Sequence, residues 1–206
     1  MKNIEWVFFD IGSTLVDESR VYEYRINETI KNSGIAYEQF YNTIIRFSRR
    51  GFNGYNEAVK YFGLQSMPWC SEYEILYPGS KDILKLLSKK HKSGIIANQP
   101  MGMQTRLKKM GIDQYISLTI SSAEEKLSKP DLKIFELALK RAGCTARRSV
   151  MIGDRIDNDI LPAKKIDMCT IWVKQGFGGM AVPKSEDEIA DYIVNSIDEV
   201  SLCFRY

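Results

Sequence analysis

Four polar side chains stand at the ends of apolar segments or in loops beside them. Asp10 ends an apolar run that begins at Trp6, Asn98 ends a second run, Asp154 follows a third, and Lys129 precedes a proline. A charge inside an apolar sheet is costly, so these residues must lie where strands end and the sheet opens. The carboxyl ends of parallel strands share one edge of a sheet. The pattern therefore predicts that the four side chains meet at that edge.

Two acids from separate strands and one lysine indicate a site for a hard cation and a phosphate group. Mg²⁺ prefers a few carboxylate oxygens and commonly bridges protein and substrate phosphate. A carboxylate can also attack phosphorus and form an aspartyl-phosphate. Lys129 would neutralise the transferring phosphoryl group and hold Asp10 ionised. Each residue alone is more typical of a loop or an ion pair, but the presence of all four in this order favours a catalytic site.

The elements that must position these residues form two kinds of segment. Near the start of the chain and from residue 78 onward, apolar runs alternate with helical periodicity, which predicts an α/β fold with a parallel sheet. Residues 17 to about 75 contain no convincing strand and are rich in aromatic side chains, which is typical of a small helical bundle. The predicted strands cover residues 6–9, 93–97, 115–120, 149–152, 169–173 and 191–194, and helices are expected over about 18–32, 37–50, 56–62, 80–87, 100–111, 131–143 and 159–166, with a last one from 196.

The composition limits the class of protein. The chain has 206 residues and a net charge of +3, which gives no electrostatic case for a nucleic-acid or membrane partner. No apolar run is long enough to span a membrane, no signal peptide is recognisable, and the four cysteines form no CxxC pair, so we expect a cytoplasmic protein with reduced cysteines. The single histidine, His91, excludes a histidine-rich metal centre and is expected at a solvated helix end. The oligomeric state is left open.

The polar residues and their apolar neighbours together resemble the motifs of the haloacid dehalogenase (HAD) superfamily, in order and over nearly the whole chain. The resemblance implies a Rossmann-like three-layer core with a parallel sheet, built from residues 1–16 and 76–206, and a small all-helical cap over 17–75. It also implies a phosphohydrolase that requires Mg²⁺. The segments similar to motifs I to IV are residues 8–17, 94–98, 129–131 with 134–135, and 150–154 continuing to 158–160.

The resemblance also implies roles by position. Asp10 would be the nucleophile and a Mg²⁺ ligand, joined by the backbone carbonyl of Gly12 and by Asp154. Lys129 would bridge Asp10 and the phosphoryl group of a small phosphorylated substrate. Further contacts to the phosphate are expected from Asn98, Gly12 and Ser13, and support for the metal site from Asp157 and Asp159.

Two positions depart from the motifs of the family's phosphatases. Gly12 stands where a second aspartate usually protonates the leaving group, and Ala97 stands where a serine or threonine usually contacts the phosphate. General acid–base assistance contributes on the order of 10²–10⁴ in rate. We therefore expect a substrate with a good leaving group and poor turnover of alkyl phosphates, unless Asp17, Glu18 or an acid of the cap replaces the missing group.

Three alternatives follow from these departures. A catalytically impaired member would bind phosphate, Mg²⁺ or a partner without turnover. A relative that cleaves phosphonates would need a lysine from the cap, for which Lys31 and Lys60 are available. A dehalogenase would need no metal, and the pair Gly153-Asp154 argues against it.

Overall fold

A computed structural model of the chain describes residues 1 and 3–204. The strands are β1 (Trp6–Phe9), β2 (Val16–Asp17), β3 (Ile75–Leu76), β4 (Lys92–Ala97), β5 (Leu118–Ser121), β6 (Ser149–Gly153), β7 (Cys169–Val173) and β8 (Tyr192–Val194). Six of them form a central parallel sheet with the order β5-β4-β1-β6-β7-β8, and the short strands β2 and β3 pair antiparallel beside it. The prediction of an α/β fold with a parallel sheet is confirmed.

Helices cover both faces of the sheet, and β1 shows why. Successive side chains of a strand point to opposite faces. Val7 and Phe9 pack into one hydrophobic cluster, while Trp6 and Phe8 pack into a second one on the other face. The helices are α1 (Ser19–Ile30), α2 (Tyr37–Arg49), α3 (Gly54–Tyr61), α4 (Ser80–Leu87), α5 (Met103–Lys109), α6 (Ser122–Glu125), α7 (Leu132–Ala142), α8 (Leu161–Lys165) and α9 (Val200–Cys203).

Helices α1 to α3 form a separate unit between β2 and β3, which we call the insert. Its core contains Phe40, Ile44 and Tyr55, all almost fully buried. The antiparallel pair β2–β3 holds together the two chain segments that enter and leave the insert. The aromatic residues of this region thus mostly build a core, as the sequence indicates.

Several local expectations are corrected by the structure. The helix expected over 159–166 is divided into a π-helical turn (Ile156–Ile160) and α8. The helix expected from residue 100 begins only at Met103, and α6 is a short helix that the sequence pattern does not predict. His91 is buried rather than solvated, because its Nδ1 lies 2.8 Å from the carbonyl oxygen of Ile4 and its ring packs against Phe204. Among the helices of the described residues, none has the length and apolar character to cross a membrane.

Candidate active site

The strand order places the polar residues that follow β4, β1 and β6 beside one another. β1 lies between β4 and β6 and is parallel to both, so Asp10 stands between Asn98 and Asp154 at the carboxyl edge of the sheet. The backbone N–H of Asp10 donates to the carbonyl of Ile152 at 2.9 Å, which extends the pairing of β1 with β6 up to the carboxylate. Asp10 is therefore fixed at the centre of the edge.

Lys129 reaches this edge from the loop before α7 and is almost fully buried. Its Nζ donates to Oδ1 of Asp10 at 2.7 Å and to Oδ1 of Asp159 at 2.6 Å. Burial alone would lower the pKa of Lys129, but the two carboxylates outweigh it and hold the pKa above its ordinary value. Lys129 is thus a permanent cation beside Asp10.

Asn98 orients Lys129 through the backbone. Its Oδ1 accepts from the N–H of Lys129 at 2.8 Å, and its Nδ2 donates to the carbonyl oxygen of Lys129, also at 2.8 Å. These two bonds fix the loop that carries the ammonium group. Asn98 also lines the cavity, and a primary amide has a second N–H that could donate to an anion there.

Asp154 is the acid with the least compensated charge. Thr14 donates to its Oδ1 across 3.4 Å, while Lys129 is bonded to the other two carboxylates. Burial, and then the carboxylates of Asp159 and Asp10, raise the pKa of Asp154 well above its ordinary value. Oxygens of Asp10, Asp154 and Asp159 lie within 4.8 Å of one another, and such a set of hard oxygen donors fits Mg²⁺.

Asp159 lies behind the other two carboxylates and is completely buried. A Cβ on Gly153 would lie 2.3 Å from its carboxyl carbon, so only glycine permits the approach. Its Oδ2 accepts from the N–H of Arg155 at 3.0 Å, and burial raises its pKa to about 6 although Lys129 opposes the shift. Asp157 is placed differently, because it pairs with the guanidinium of Arg155 and is half-exposed.

Gly12, Ser13 and Glu18 line the same cavity as Asp10. Ser13 adopts a left-handed backbone, with φ of 54°, and its hydroxyl donates to Oε2 of Glu18 at 2.9 Å. Burial raises the pKa of Glu18 to about 8, although the bond from Ser13 opposes this. Of the acids named from sequence as replacements, Glu18 enters the cavity, whereas Asp17 accepts from the N–H of Ser19 at the start of α1.

The cavity has a volume of about 260 Å³ and lies between the carboxyl edge of the sheet and the insert. The loop after β7 forms part of its wall. Phe177 packs edge-on against Tyr22, and a Cβ on Gly178 would lie 2.0 Å from Oδ2 of Asp154. The sequence does not predict a role for these residues, because the glycine-rich segment that contains them, residues 176–179, lacks the spacing of a phosphate-binding motif.

The lysines considered for a phosphonate-cleaving reaction lie elsewhere. Lys31 pairs with Glu28, Lys60 pairs with Glu57, and both lysines are well exposed on the insert. Among the described residues that line the cavity, Lys129 is the only lysine. Neither Lys31 nor Lys60 therefore lines the cavity in which a Schiff base would have to form.

Comparison with known proteins places this arrangement in a family. A glyceraldehyde 3-phosphate phosphatase of Pyrococcus furiosus is 27% identical over 97% of this chain and 92% of its own length. One from Methanocaldococcus jannaschii is 28% identical over 96% of this chain and 95% of its own. The solved structure of a HAD phosphatase from Thermococcus onnurineus has the same fold, with a TM-score of 0.68, 24% identity and 97% of both chains covered. The family model of haloacid dehalogenase-like hydrolases matches residues 4–167, so the chain belongs to that family of hydrolases.

Proposed function

We propose that this hydrolase is a Mg²⁺-dependent phosphatase that acts on a small phosphorylated metabolite through an aspartyl-phosphate on Asp10. The observation that carries the proposal is the distribution of charge around Asp10. Lys129 donates to both Asp10 and Asp159, so two carboxylates share one positive charge, while Asp154 faces the same cavity with no cation bonded to it among the described residues. A buried cation beside an excess of carboxylate charge suits a phosphate group and a divalent metal.

Asp10, Asp154 and the backbone carbonyl of Gly12 would hold the ion, and Asp159 would support the site from behind through Lys129 and the N–H of Arg155. When bound, Mg²⁺ supplies Lewis-acid stabilisation of charge on the phosphoryl oxygens. Asp157 has a lesser part, since it acts on the site only by orienting Arg155.

The side chains of this chain then divide the chemistry among themselves. Asp10 attacks phosphorus, so that a bond forms between its carboxylate oxygen and phosphorus while the ester bond breaks. Lys129 stabilises the charge of the transferring group, as preorganised cations do in a water-poor site. Asn98 holds Lys129 in place and, with the backbone around Gly12 and Ser13, offers N–H groups to the phosphate. Water then cleaves the aspartyl-phosphate.

The size of the cavity supports a small substrate. A volume of about 260 Å³ leaves room for a phosphate and a short carbon chain. Two relatives that cover nearly the whole chain are named glyceraldehyde 3-phosphate phosphatases. Three-carbon phosphates are therefore the first substrates to test, with 4-nitrophenyl phosphate as a chromogenic comparison.

The test is to trap the covalent intermediate. Wild-type protein quenched in acid during turnover is expected to carry one phosphoryl group on Asp10, found by mass spectrometry of peptides. Asp10→Asn is expected to abolish both turnover and labelling. Continued turnover by Asp10→Asn, or turnover by wild-type protein without any trapped intermediate, would contradict the mechanism.

The metal is tested without turnover. Mg²⁺ that binds only the folded protein stabilises it by about 2.7 kcal/mol at a hundredfold excess over Kd, and the thermal midpoint rises as a result. Asp154→Asn is expected to remove most of this effect. Asp167→Asn is a matched control, because Asp167 is exposed, pairs with Arg147 and does not line the cavity. Equal Mg²⁺ stabilisation of all three proteins would exclude Asp154 as a ligand.

A further inference from the structure

Glu18 is a buried acid that the chemistry described above does not use. Glu18 is only 7% exposed, and it lines the same cavity as Asp10. It stands at the junction of β2 and α1, where its backbone carbonyl accepts from the N–H of Tyr22. A capping residue in this position is usually exposed, and burial of its carboxyl group without a cation needs a reason.

The place that Glu18 occupies depends on Gly12. A Cβ on Gly12 would lie 2.3 Å from Oε1 of Glu18 and 2.9 Å from its carboxyl carbon. The carboxyl group therefore fills the volume into which a side chain at position 12 would project, two residues after the nucleophile. Ser13 fixes it there by donating to Oε2 at 2.9 Å.

The other acids around the cavity have different tasks. Among the described residues that line it, the acids are Asp10, Glu18 and Asp154. Asp10 is bonded to Lys129, and Asp154 faces Asp10 as the second carboxylate for a metal. Glu18 is bonded to Ser13 and to no cation among the described residues, and it lies outside the set of three acids that could hold a metal, which makes it a candidate for proton transfer.

We propose that Glu18 is the general acid and base of this enzyme, a role that rests on the proposed phosphatase function. As Asp10 bonds to phosphorus and the ester bond breaks, the protonated carboxyl of Glu18 gives its proton to the departing oxygen and an alcohol leaves. The carboxylate then takes a proton from the water whose oxygen attacks phosphorus. Phosphate is released, and both the Asp10 carboxylate and the protonated Glu18 are restored. The substrate class is then phosphate esters of ordinary alcohols, not only those with good leaving groups.

The test compares an alkyl phosphate with 4-nitrophenyl phosphate in Glu18→Gln. Nitrophenolate leaves without a proton, so the variant is expected to give a rapid stoichiometric burst of nitrophenolate. Loss of the base then slows steady turnover by on the order of 10²–10⁴, and phosphoenzyme accumulates. With glycerol 3-phosphate the first step itself slows by a similar factor, so no burst of glycerol appears.

Asp17→Asn is the matched control, because Asp17 is the adjacent acid, lies outside the cavity lining, and asparagine can also accept from the N–H of Ser19. It is expected to behave as wild type. A Glu18→Gln variant with wild-type turnover of both substrates, or one that loses the nitrophenolate burst as well, would overturn the proposal. If instead Asp10→Asn stays active and wild-type protein forms no phosphoenzyme, the phosphatase mechanism itself has failed.

Discussion

The position of the Glu18 carboxyl group depends on the absence of a side chain at Gly12, and this dependence can be tested by adding a single carbon atom there. Gly12→Ala places a Cβ 2.3 Å from Oε1 of Glu18, where ordinary contacts begin at 3.4 Å. Gly12 is not among the residues with a left-handed backbone, so alanine adds volume without backbone strain. The carboxyl group must therefore retreat by about 1 Å, and the three atoms nearest to the added Cβ all belong to Glu18 rather than to Asp10 or Lys129.

The magnitude follows from the size of this retreat. A misplacement of about 1 Å in a reacting group can cost on the order of 10²-fold in rate. We expect kcat/KM for glycerol 3-phosphate to fall by that factor in Gly12→Ala, equivalent to about 2.7 kcal/mol. The burst with 4-nitrophenyl phosphate is expected to persist, because Asp10 and Lys129 carry that step.

The assay is a double-mutant cycle with Glu18→Gln. In the glutamine background the same methyl group displaces a side chain that transfers no proton, so Gly12→Ala is expected to add almost no further loss. Neighbours that act on one step are non-additive, and the cycle measures that coupling. If Gly12→Ala lowers kcat/KM for glycerol 3-phosphate equally in the wild-type and Glu18→Gln backgrounds, the reasoning is refuted. It is also refuted if Gly12→Ala lowers kcat/KM equally for glycerol 3-phosphate and 4-nitrophenyl phosphate.

Two predictions concern stability in metal-free protein. Lys129→Met leaves the carboxylates of Asp10 and Asp159 buried without a partner and is expected to cost about 3–5 kcal/mol in urea unfolding, against about 0–1 kcal/mol for the exposed Lys60→Met. A loss below 1 kcal/mol for Lys129→Met would show that the cluster is not held by this ion pair. Glu18 has a folded pKa of about 8 against 4.5 for the free side chain, so the folded state holds a proton that the unfolded state releases, and stability falls as pH rises between these values. Glu18→Gln is therefore expected to gain up to about 3 kcal/mol over wild type on going from pH 5 to 7.5, and parallel pH profiles in thermal unfolding would contradict it.

The sequence predicts the sheet edge well because its signals are local. The run that begins at Trp6 is apolar throughout, and a strand covered by helices on both faces needs that pattern. The carboxyl ends of such strands meet at one edge by topology alone, so the sequence is enough to place Asp10, Asn98 and Asp154 together. Lys129 joins them because the loop before α7 opens at the same edge.

The features that the sequence could not settle depend on contacts made across the fold. The sequence names Glu18 only as one of several acids that could replace the missing group, and its place at the junction of β2 with α1 shows that it enters the cavity. Phe177 reaches the insert from a loop far along the chain. His91 stands after lysines at a helix end, but the carbonyl of Ile4 and the ring of Phe204 bury it. A local sequence pattern that is typical of a helix end contains no information about partners so distant along the chain.

The charges of the site give an independent reason for a divalent ion. Asp10, Asp154 and Asp159 contribute three negative charges to a buried cluster, and Lys129 contributes one positive charge. A divalent cation makes the cluster neutral, whereas a monovalent one would leave a negative charge that repels phosphate in a medium of low dielectric constant. Glu18, in the protonated form that its burial favours, adds nothing to this balance. In the proposed mechanism its proton serves two purposes, since the leaving group takes it and the site stays neutral before the substrate enters.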